Sequence, residues 1–534
     1  MKTTRYRYGD VRAALLERRE IALLDVREED EHAQAHPLFA ASFPLSRIEL
    51  DAWTRLPRRT VRIVLVDDGA GEAQVAAHRL ALLGYTDIGI LEGGVAGWRA
   101  DGGEVFRDVN VPSKAFGELV EAKCGTPSLS AQEVHRLIEE RADAVIVDAR
   151  RFEEYHTMSL PGGISVPGAE LVLRVPALAP RPETRVIVNC AGRTRSIIGA
   201  QSLINAGLRN PVAALRNGTI GWTLAGQRLE HGAGRRGHEA AVDATPGIPS
   251  NAARKVADRA GVQRASLEDV LEWSRQLERT TYCFDVRSPE EYEAGHVPVF
   301  RSYPGGQLVQ ETEMAAPVRG ARIALIDDDG VRANMTASWL AQMAWDVFVV
   351  DHVPPAMFNQ RGFTSPALPP FPRAEMIAPQ MLQSWLGESE STAVVDLSDS
   401  ASYRRGHIPG AWFALRSRLA KALEQIPPAA RYVLTSTDGA VSRFASPELA
   451  ALVSRPVYVL EGGNRDWIAA RLPTEQGDER MASPPIDRYR RPYEGVDNAS
   501  EAMQAYLEWE YGLVEQLERD GTHGFRVLGK EAAP

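Results

Sequence analysis

Cys190 ends the β-branched run "RVIVN" and opens "CAGRTRS", a loop of small residues carrying two arginines, Arg193 and Arg195. The thiolate is the nucleophilic form of cysteine, and a free thiol with a pKa of about 8.5 is mostly protonated at neutral pH. A cysteine placed to react therefore needs surroundings that favour its anion. The stretch that follows, "SIIGAQSLINAG", has helical periodicity. The spacing predicts that Cys190 to Ser196 curl into a helix N-terminus, where free backbone N–H groups and the positive end of the dipole attract negative charge. Gly192 is expected to permit the tight curl and Arg193 and Arg195 to add fixed positive charge. Thr194 and Ser196 are expected to donate hydroxyl hydrogen bonds. With Ala191, these residues describe a cradle for an anionic sulfur and for a small anionic substrate that delivers to it or takes from it.

The elements that hold this loop show up as an internal repeat. A strand running into an acidic, helix-like segment occurs four times, as "IALLDVREEDEHAQAHP", "AVIVDARRFEEYHTMSLPGG", "YCFDVRSPEEYEAGHVPV" and "AVVDLSDSASYRRGHIPGAW", the strands closing on Asp25, Asp148, Asp285 and Asp396. A second strand and loop follow at nearly constant spacing, and matching the repeats puts Asp68, Asp328 and Thr437 where the second repeat has Cys190. Three repeats close on related segments, "LEGGVAGW", "LRNGTIGW" and "LEGGNRDW", which end at Trp98, Trp222 and Trp467. The third repeat has only "VVDHVPPAMF" there, so it has drifted furthest.

Short β-branched runs alternating with helix-period segments predict an α/β fold of four tandem domains, each a mostly parallel sheet flanked by helices on both faces. Ligands in such folds sit beyond the carboxyl ends of the strands, where the four loops lie. The domains are expected at 1–124, 125–260, 261–371 and 372–534. Two similar linkers mark the first boundaries, each ending in a Ser-x-x-acidic helix start, Ser130 with Glu133 and Ser266 with Asp269. Proline-rich "PALPPFPRAEM" marks the third. The fourth domain carries a helical extension, "ASEAMQAYLEWEYGLVEQLERDG", whose spacing predicts one amphipathic helix packed back on the body.

Composition narrows the function classes. The 534 residues have an ordinary apolar share and a net charge of -10, which argues against a general nucleic-acid surface. No apolar run approaches the roughly 18 residues that cross a bilayer, and the N-terminal basic residues precede no apolar segment of a secretory signal, so a cytoplasmic protein is expected. Three scattered cysteines, Cys124, Cys190 and Cys283, make neither a disulfide framework nor a zinc site. No cofactor and no metal are expected.

In the second repeat the motifs are Asp148, Arg150, Glu153 and Glu154, the turn "LPGGISVPG", the loop "CAGRTRS" and a Gly-x-x-Gly-Trp closure at Trp222. In this order and spacing, recurring through the chain, they resemble the rhodanese family of sulfurtransferases as four tandem rhodanese-like domains. The resemblance covers nearly the whole chain. It implies a catalytic Cys190 whose thiolate takes a sulfane sulfur from thiosulfate or a related donor, becomes a persulfide, and passes the sulfur to cyanide or a thiol acceptor. Asp148, Arg150 and Trp222 then support the loop, the first two as a structural ion pair. The alternatives are a scaffold or persulfide carrier that docks a partner, and a cysteine-dependent phosphatase or arsenate reductase. The phosphatase pattern Cys-x5-Arg would put the arginine at Ser196, whereas here it comes one position earlier, at Arg195. A protein acceptor and a homo-oligomer both stay open.

The other repeats should be inactive, since aspartate cannot accept a sulfur atom and Thr437 is a weak nucleophile with no base beside it. By the same resemblance, residues 1–124 are expected to wall one side of the Cys190 site, and the third and fourth domains with the C-terminal helix to form a second pair. His32 and His36, one helical turn apart, read as a surface helix and Cys283 as a buried, inert strand residue.

Overall fold

The computed structural model of the chain describes residues 4–237, 248–495 and 497–529. Four mostly parallel sheets share one topology. In the second module the strands lie in the order Ser128–Leu129, Val212–Leu215, Arg185–Asn189, Ala144–Asp148 and Ile164–Ser165. This is the order first, fifth, fourth, second, third, and the sister modules repeat it. Near-continuous apolar strands require a sheet covered on both faces, and the second module shows it. Val186 and Val188 join a core with Leu171, Val175 and Leu203, while Ile187 between them faces Val134, Leu215 and Trp222 on the opposite side.

The strand register corrects the matching of the repeats. Asp148 pairs with Asn189, Asp285 with Ile326 and Asp396 with Thr435. In the first module Val26 N–H donates to Val66 O at 3.0 Å, as Ala149 N–H does to Asn189 O at 2.9 Å. The residues in Cys190's place are therefore Asp67, Asp327 and Ser436, and Asp68, Asp328 and Thr437 each come one position late. Paired polar residues at these sites fit either alignment in sequence, and only cross-strand pairing separates them.

The chain forms two compact units. Residues 23–109 and 366–490, the first and fourth modules, belong to one; residues 110–365 and the segment from Arg491 onward belong to the other. This overturns the expected pairing, because the third module joins the second rather than the fourth. Within that unit Val331 and Met335 of the third module enter the second module's core, and Trp339 Nε1 donates to Ser202 Oγ at 2.9 Å. In the other unit Arg416 bridges Glu49, at 2.5 and 3.0 Å, and Glu448, at 2.6 Å. The linker helix Val111–Cys124 also lies in the unit of the second module.

Local signals set the helix ends. Glu133 N–H donates to Ser130 Oγ at 3.2 Å and Ser130 N–H to Glu133 Oε2 at 2.7 Å; Ser266 and Asp269 repeat the reciprocal cap. The C-terminal run, expected as one helix, is two, Ser500–Tyr511 and Leu513–Asp520, which break at Gly512 where backbone entropy disfavours continuation. His32 and His36 are buried and stack with ring centres 3.9 Å apart, contrary to the expected surface helix. No cluster suited to a metal occurs among the described residues.

Trp222 is 1% exposed, and its indole N–H donates to Arg228 O at 2.9 Å. Trp222→Ala should destabilise the second module by about 3–5 kcal/mol, the scale of a buried aromatic truncation. The check is a lowered denaturant midpoint; an unmoved midpoint would show that the closure segment does not hold the module together.

Candidate active site at Cys190

Cys190 leaves the central strand Arg185–Asn189 at its carboxyl end, and Thr194–Asn205 is the helix that follows, so the predicted strand, loop and helix N-terminus are all present. The Cys190 thiol donates to Ser196 Oγ at 3.4 Å, and the Ser196 hydroxyl donates to Arg193 O at 2.8 Å. The loop is held from behind by the helix Gly218–Leu224. Thr219 N–H donates to Cys190 O at 2.9 Å and Ile220 N–H to Ala191 O at 3.0 Å. A Cβ at Gly218 would meet Cys190 O at 2.4 Å, and its φ of +53° is in the left-handed region, so glycine is required there on both counts.

The two arginines part company. Arg193 turns from the sulfur to the linker helix, donating to Glu118 at 2.7 and 2.8 Å, to Glu121, to Asn217 Oδ1 at 3.1 Å and to Tyr511 Oη at 3.1 Å. Arg195 donates to both oxygens of Glu154 at 2.7 and 2.9 Å and is the arginine whose charge acts on Cys190. Thr194 keeps its hydroxyl buried without a hydrogen-bond partner among the described residues. Ala191 packs with Ile220, Tyr493, Met503, Tyr506 and Leu507. Below the loop, Asp148 and Arg150 form a buried bidentate pair at 2.9 and 2.8 Å, closed by Arg150 to Met158 O at 2.6 Å and by Asn189 Nδ2 to Asp148 Oδ2 at 2.7 Å. This pair holds two strand ends, and Trp222 fills the core beneath them.

The expectation of a lowered thiol pKa does not hold in this arrangement. Cys190 is 2% exposed, and burial pushes its thiol above the ordinary value, although Arg195 and the Ser196 hydroxyl and N–H pull the other way. The negative side of Glu510 adds to the rise. Sequence reasoning missed the source of this burial, the helix Ser500–Tyr511 lying on the loop. Gly192 is needed for that contact rather than for a tight curl. Its φ is not in the left-handed region, and a Cβ there would come within 3.2 Å of both Glu510 Oε2 and Tyr506 Cε1. Of residues 1–124, the linker helix reaches the loop, through Glu118 and Glu121.

The remaining cysteines have plain roles. Cys283 is buried in strand Thr281–Asp285, its thiol pushed up to about 12 by burial. Cys124 is buried at the end of the linker helix, its thiol donating to Leu528 O at 3.5 Å.

The third module preserves part of the site. Arg332, five positions after Asp327 as Arg195 is after Cys190, pairs with Glu291 as Arg195 pairs with Glu154. Asp327 accepts from Gly330 N–H at 3.0 Å and Ala333 N–H at 2.8 Å, while Arg332 also binds Asp328 and Asp329. In the fourth module Ser436 Oγ lies 3.2 Å from Ser442 Oγ, the counterpart of Cys190 and Ser196.

A chain whose four modules each end a central strand in this loop is of the rhodanese type. The family model for the rhodanese-like domain matches residues 10–101, 130–225, 266–352 and 378–470, and the chain belongs to that family. Among solved structures it is similar to the thiosulfate sulfurtransferase from Pseudomonas aeruginosa, with 62% identity over 98% of this chain and 100% of that one and a TM-score of 0.95. It is thus a full-length homologue of a thiosulfate sulfurtransferase. A rhodanese-related protein from Thermoplasma volcanium matches at 20% identity over 19% of this chain and 97% of its own, TM-score 0.17. A rhodanese-like domain protein from Staphylococcus aureus matches at 23% over 20% and 93%, TM-score 0.16. No curated protein matches. No helix among the described residues is long and apolar enough to cross a membrane.

The geometry separates the arginines by experiment. Arg195→Ala should move the pH dependence of Cys190 alkylation further up, because the one opposing charge is gone. Arg193→Ala should leave it in place. A profile that shifts equally in both variants would mean that the loop's net charge, not Arg195's position, sets the thiol.

Proposed function

We propose that the protein moves a sulfane sulfur from thiosulfate or a related donor, through a Cys190 persulfide, to cyanide or a thiol. The Cys190 thiol first gives up its proton. The thiolate attacks the outer sulfur of thiosulfate, the bond to the sulfonate sulfur breaks, and sulfite leaves with the electron pair. Cyanide or a thiolate then attacks the outer sulfur of the persulfide, giving thiocyanate or an acceptor persulfide and restoring the Cys190 thiolate. The N–H groups at the start of helix Thr194–Asn205 and the Arg195 guanidinium favour the anionic sulfur at each stage.

The observation that carries this reading is a thiol at a strand-to-helix loop with one arginine acting on it, in a full-length homologue of a thiosulfate sulfurtransferase. Arg195 also lines a cavity of about 620 Å³ with Arg151, Arg174 and Arg236, which Cys190 itself does not line. Glu153, Glu170, Glu290 and Glu291 line it too, so its charge is balanced rather than strongly positive. A cysteine phosphatase does not fit, since Ser196 occupies the position where its arginine belongs and binds the thiol instead. Three free cysteines suit a reducing compartment, and we place the activity in the cytoplasm.

One observation favours the second reading, a scaffold or persulfide carrier that docks a partner: Cys190 is almost fully buried. Mass spectrometry after incubation with thiosulfate, then with cyanide, separates the two. Transfer predicts a gain of one sulfur atom at Cys190, its loss to cyanide as thiocyanate, and neither in Cys190→Ala, while Cys124→Ser and Cys283→Ser keep most turnover. A protein that gains no sulfur, or a Cys190→Ala variant that still turns over, sinks the proposal.

A further inference from the structure

The Cys190 mechanism makes no use of Glu510, although this residue lies against the loop. Glu510 is on helix Ser500–Tyr511 and 1% exposed. Its Oε1 accepts from Tyr506 Oη at 2.9 Å, and its Oε2 is buried with no hydrogen-bond partner among the described residues, 3.2 Å from where a Gly192 Cβ would stand. Around it, Ala191, Ile220, Tyr493, Met503, Tyr506 and Leu507 form one apolar cluster joining the catalytic loop to the C-terminal segment.

We propose that Glu510 is a positioning residue of the sulfur-transfer site: its neutral carboxyl keeps helix Ser500–Tyr511 seated on the Cys190 loop, and loss of its proton releases that helix and opens Cys190 to donor and acceptor. The proposal rests on the reading of Cys190 as the sulfur carrier. A carboxylate at this place is poorly compensated. From the linker helix it faces the Glu118 carboxylate and the Lys114 ammonium, from the loop Arg193 and Cys190, and from its own helix Tyr506. Arg193 is already held by Glu118 and Glu121. Lys114 lies over the rings of Tyr493, Tyr506 and Trp509 at 5.8, 5.1 and 5.5 Å. Burial and the Glu118 charge together push Glu510 up to about 8. An anionic sulfur at Cys190 adds repulsion in the same direction.

The seated helix binds the Glu510 proton more tightly than a released helix, where an exposed glutamate titrates near ~4.3. Seating is therefore fully held below the lower value, weakens as pH rises, and has lost the whole contribution once pH passes about 8. This predicts a site that opens with rising pH while the rest of the fold stays intact.

Hydrogen exchange of the full-length protein between pH 5 and pH 9, corrected for intrinsic rates, reads the helix directly. Opening of residues 500–511 should rise by up to about tenfold per pH unit and level off above about pH 8. Glu510→Gln, a permanent neutral mimic, should stay protected and lose this dependence, and at pH 8 a bulky maleimide should label its Cys190 several-fold more slowly. Tyr506→Phe removes the hydroxyl that favours the carboxylate, so the levelling-off should move to higher pH. Exchange that follows the wild-type profile in both variants overturns the proposal. Exchange reports on the helix whether or not Cys190 carries sulfur, so the expected profile in a protein that gains no sulfur from thiosulfate would refute the transfer reading alone.

Discussion

The site depends on one backbone contact, the N-terminus of a short helix closing on the carbonyl at the end of the central strand. In the second module Thr219 N–H takes Cys190 O at 2.9 Å; in the first, Val95 N–H takes Asp67 O at 3.0 Å, and in the fourth Asn464 N–H takes Ser436 O at 2.8 Å. Each contact is close enough that the helix must begin with glycine: a Cβ at Gly94, Gly218 or Gly463 would meet that carbonyl at 2.2, 2.4 or 2.0 Å. Buried carbonyls need donors, and this one is aimed by the strand it ends. The side chain of the same residue must then point into the loop that follows. Chemistry at this position is therefore a matter of which side chain the lock presents.

The degenerate modules show what else that position can do. Asp67 Oδ2 accepts from Gly71 and Ala73 N–H at 3.2 and 3.1 Å, and Asp327 Oδ2 from Ala333 N–H at 2.8 Å. A carboxyl group there satisfies the free N–H groups of the loop whether or not a ligand is present. The third module also keeps Arg332 and Glu291, so it has an aspartate where the second has Cys190 but the same ion pair beside it. Asp327 is itself raised, first by burial and then by Asp329, which marks the loop as a poor place for a further negative charge. The third module has a packing role of its own: it completes the core that carries the second.

Most of the fold was legible because its signals are local. The repeat, the strand-end aspartates and the reciprocal caps at Ser130 and Ser266 all act over a few residues, and so does the strand-to-helix turn at Cys190. The one-residue error at Asp68, Asp328 and Thr437 came from adjacent polar residues that no local rule distinguishes. The module pairing and the helix seated on the loop were not legible, since Trp339 with Ser202 and Glu510 with Gly192 bring together residues far apart in the chain. Gly512 did mark the break in the C-terminal run, a signal outweighed by the apolar spacing around it.

The same distant contacts decide the electrostatics. From sequence, two arginines beside a thiol imply an activated nucleophile. In the folded unit one of them is consumed by the linker helix, the other is shared with Glu154, and the sulfur is enclosed by a helix from the far end of the chain. Desolvation then outweighs the attraction of Arg195 and the Ser196 hydrogen bonds together, because removing water penalises the charged form of every group nearby, whatever the sign of its neighbours. Arg195 and Glu154 hold each other ionised under that penalty, while Cys190 and Glu510, which have no such partner, are both pushed toward their neutral forms. The resting site is thus assembled around neutral groups at the point of chemistry and a locked ion pair beside it. Admitting water lifts that penalty and favours the thiolate, whereas a neighbouring anion opposes it, so it is solvation that couples exposure of Cys190 to its activation.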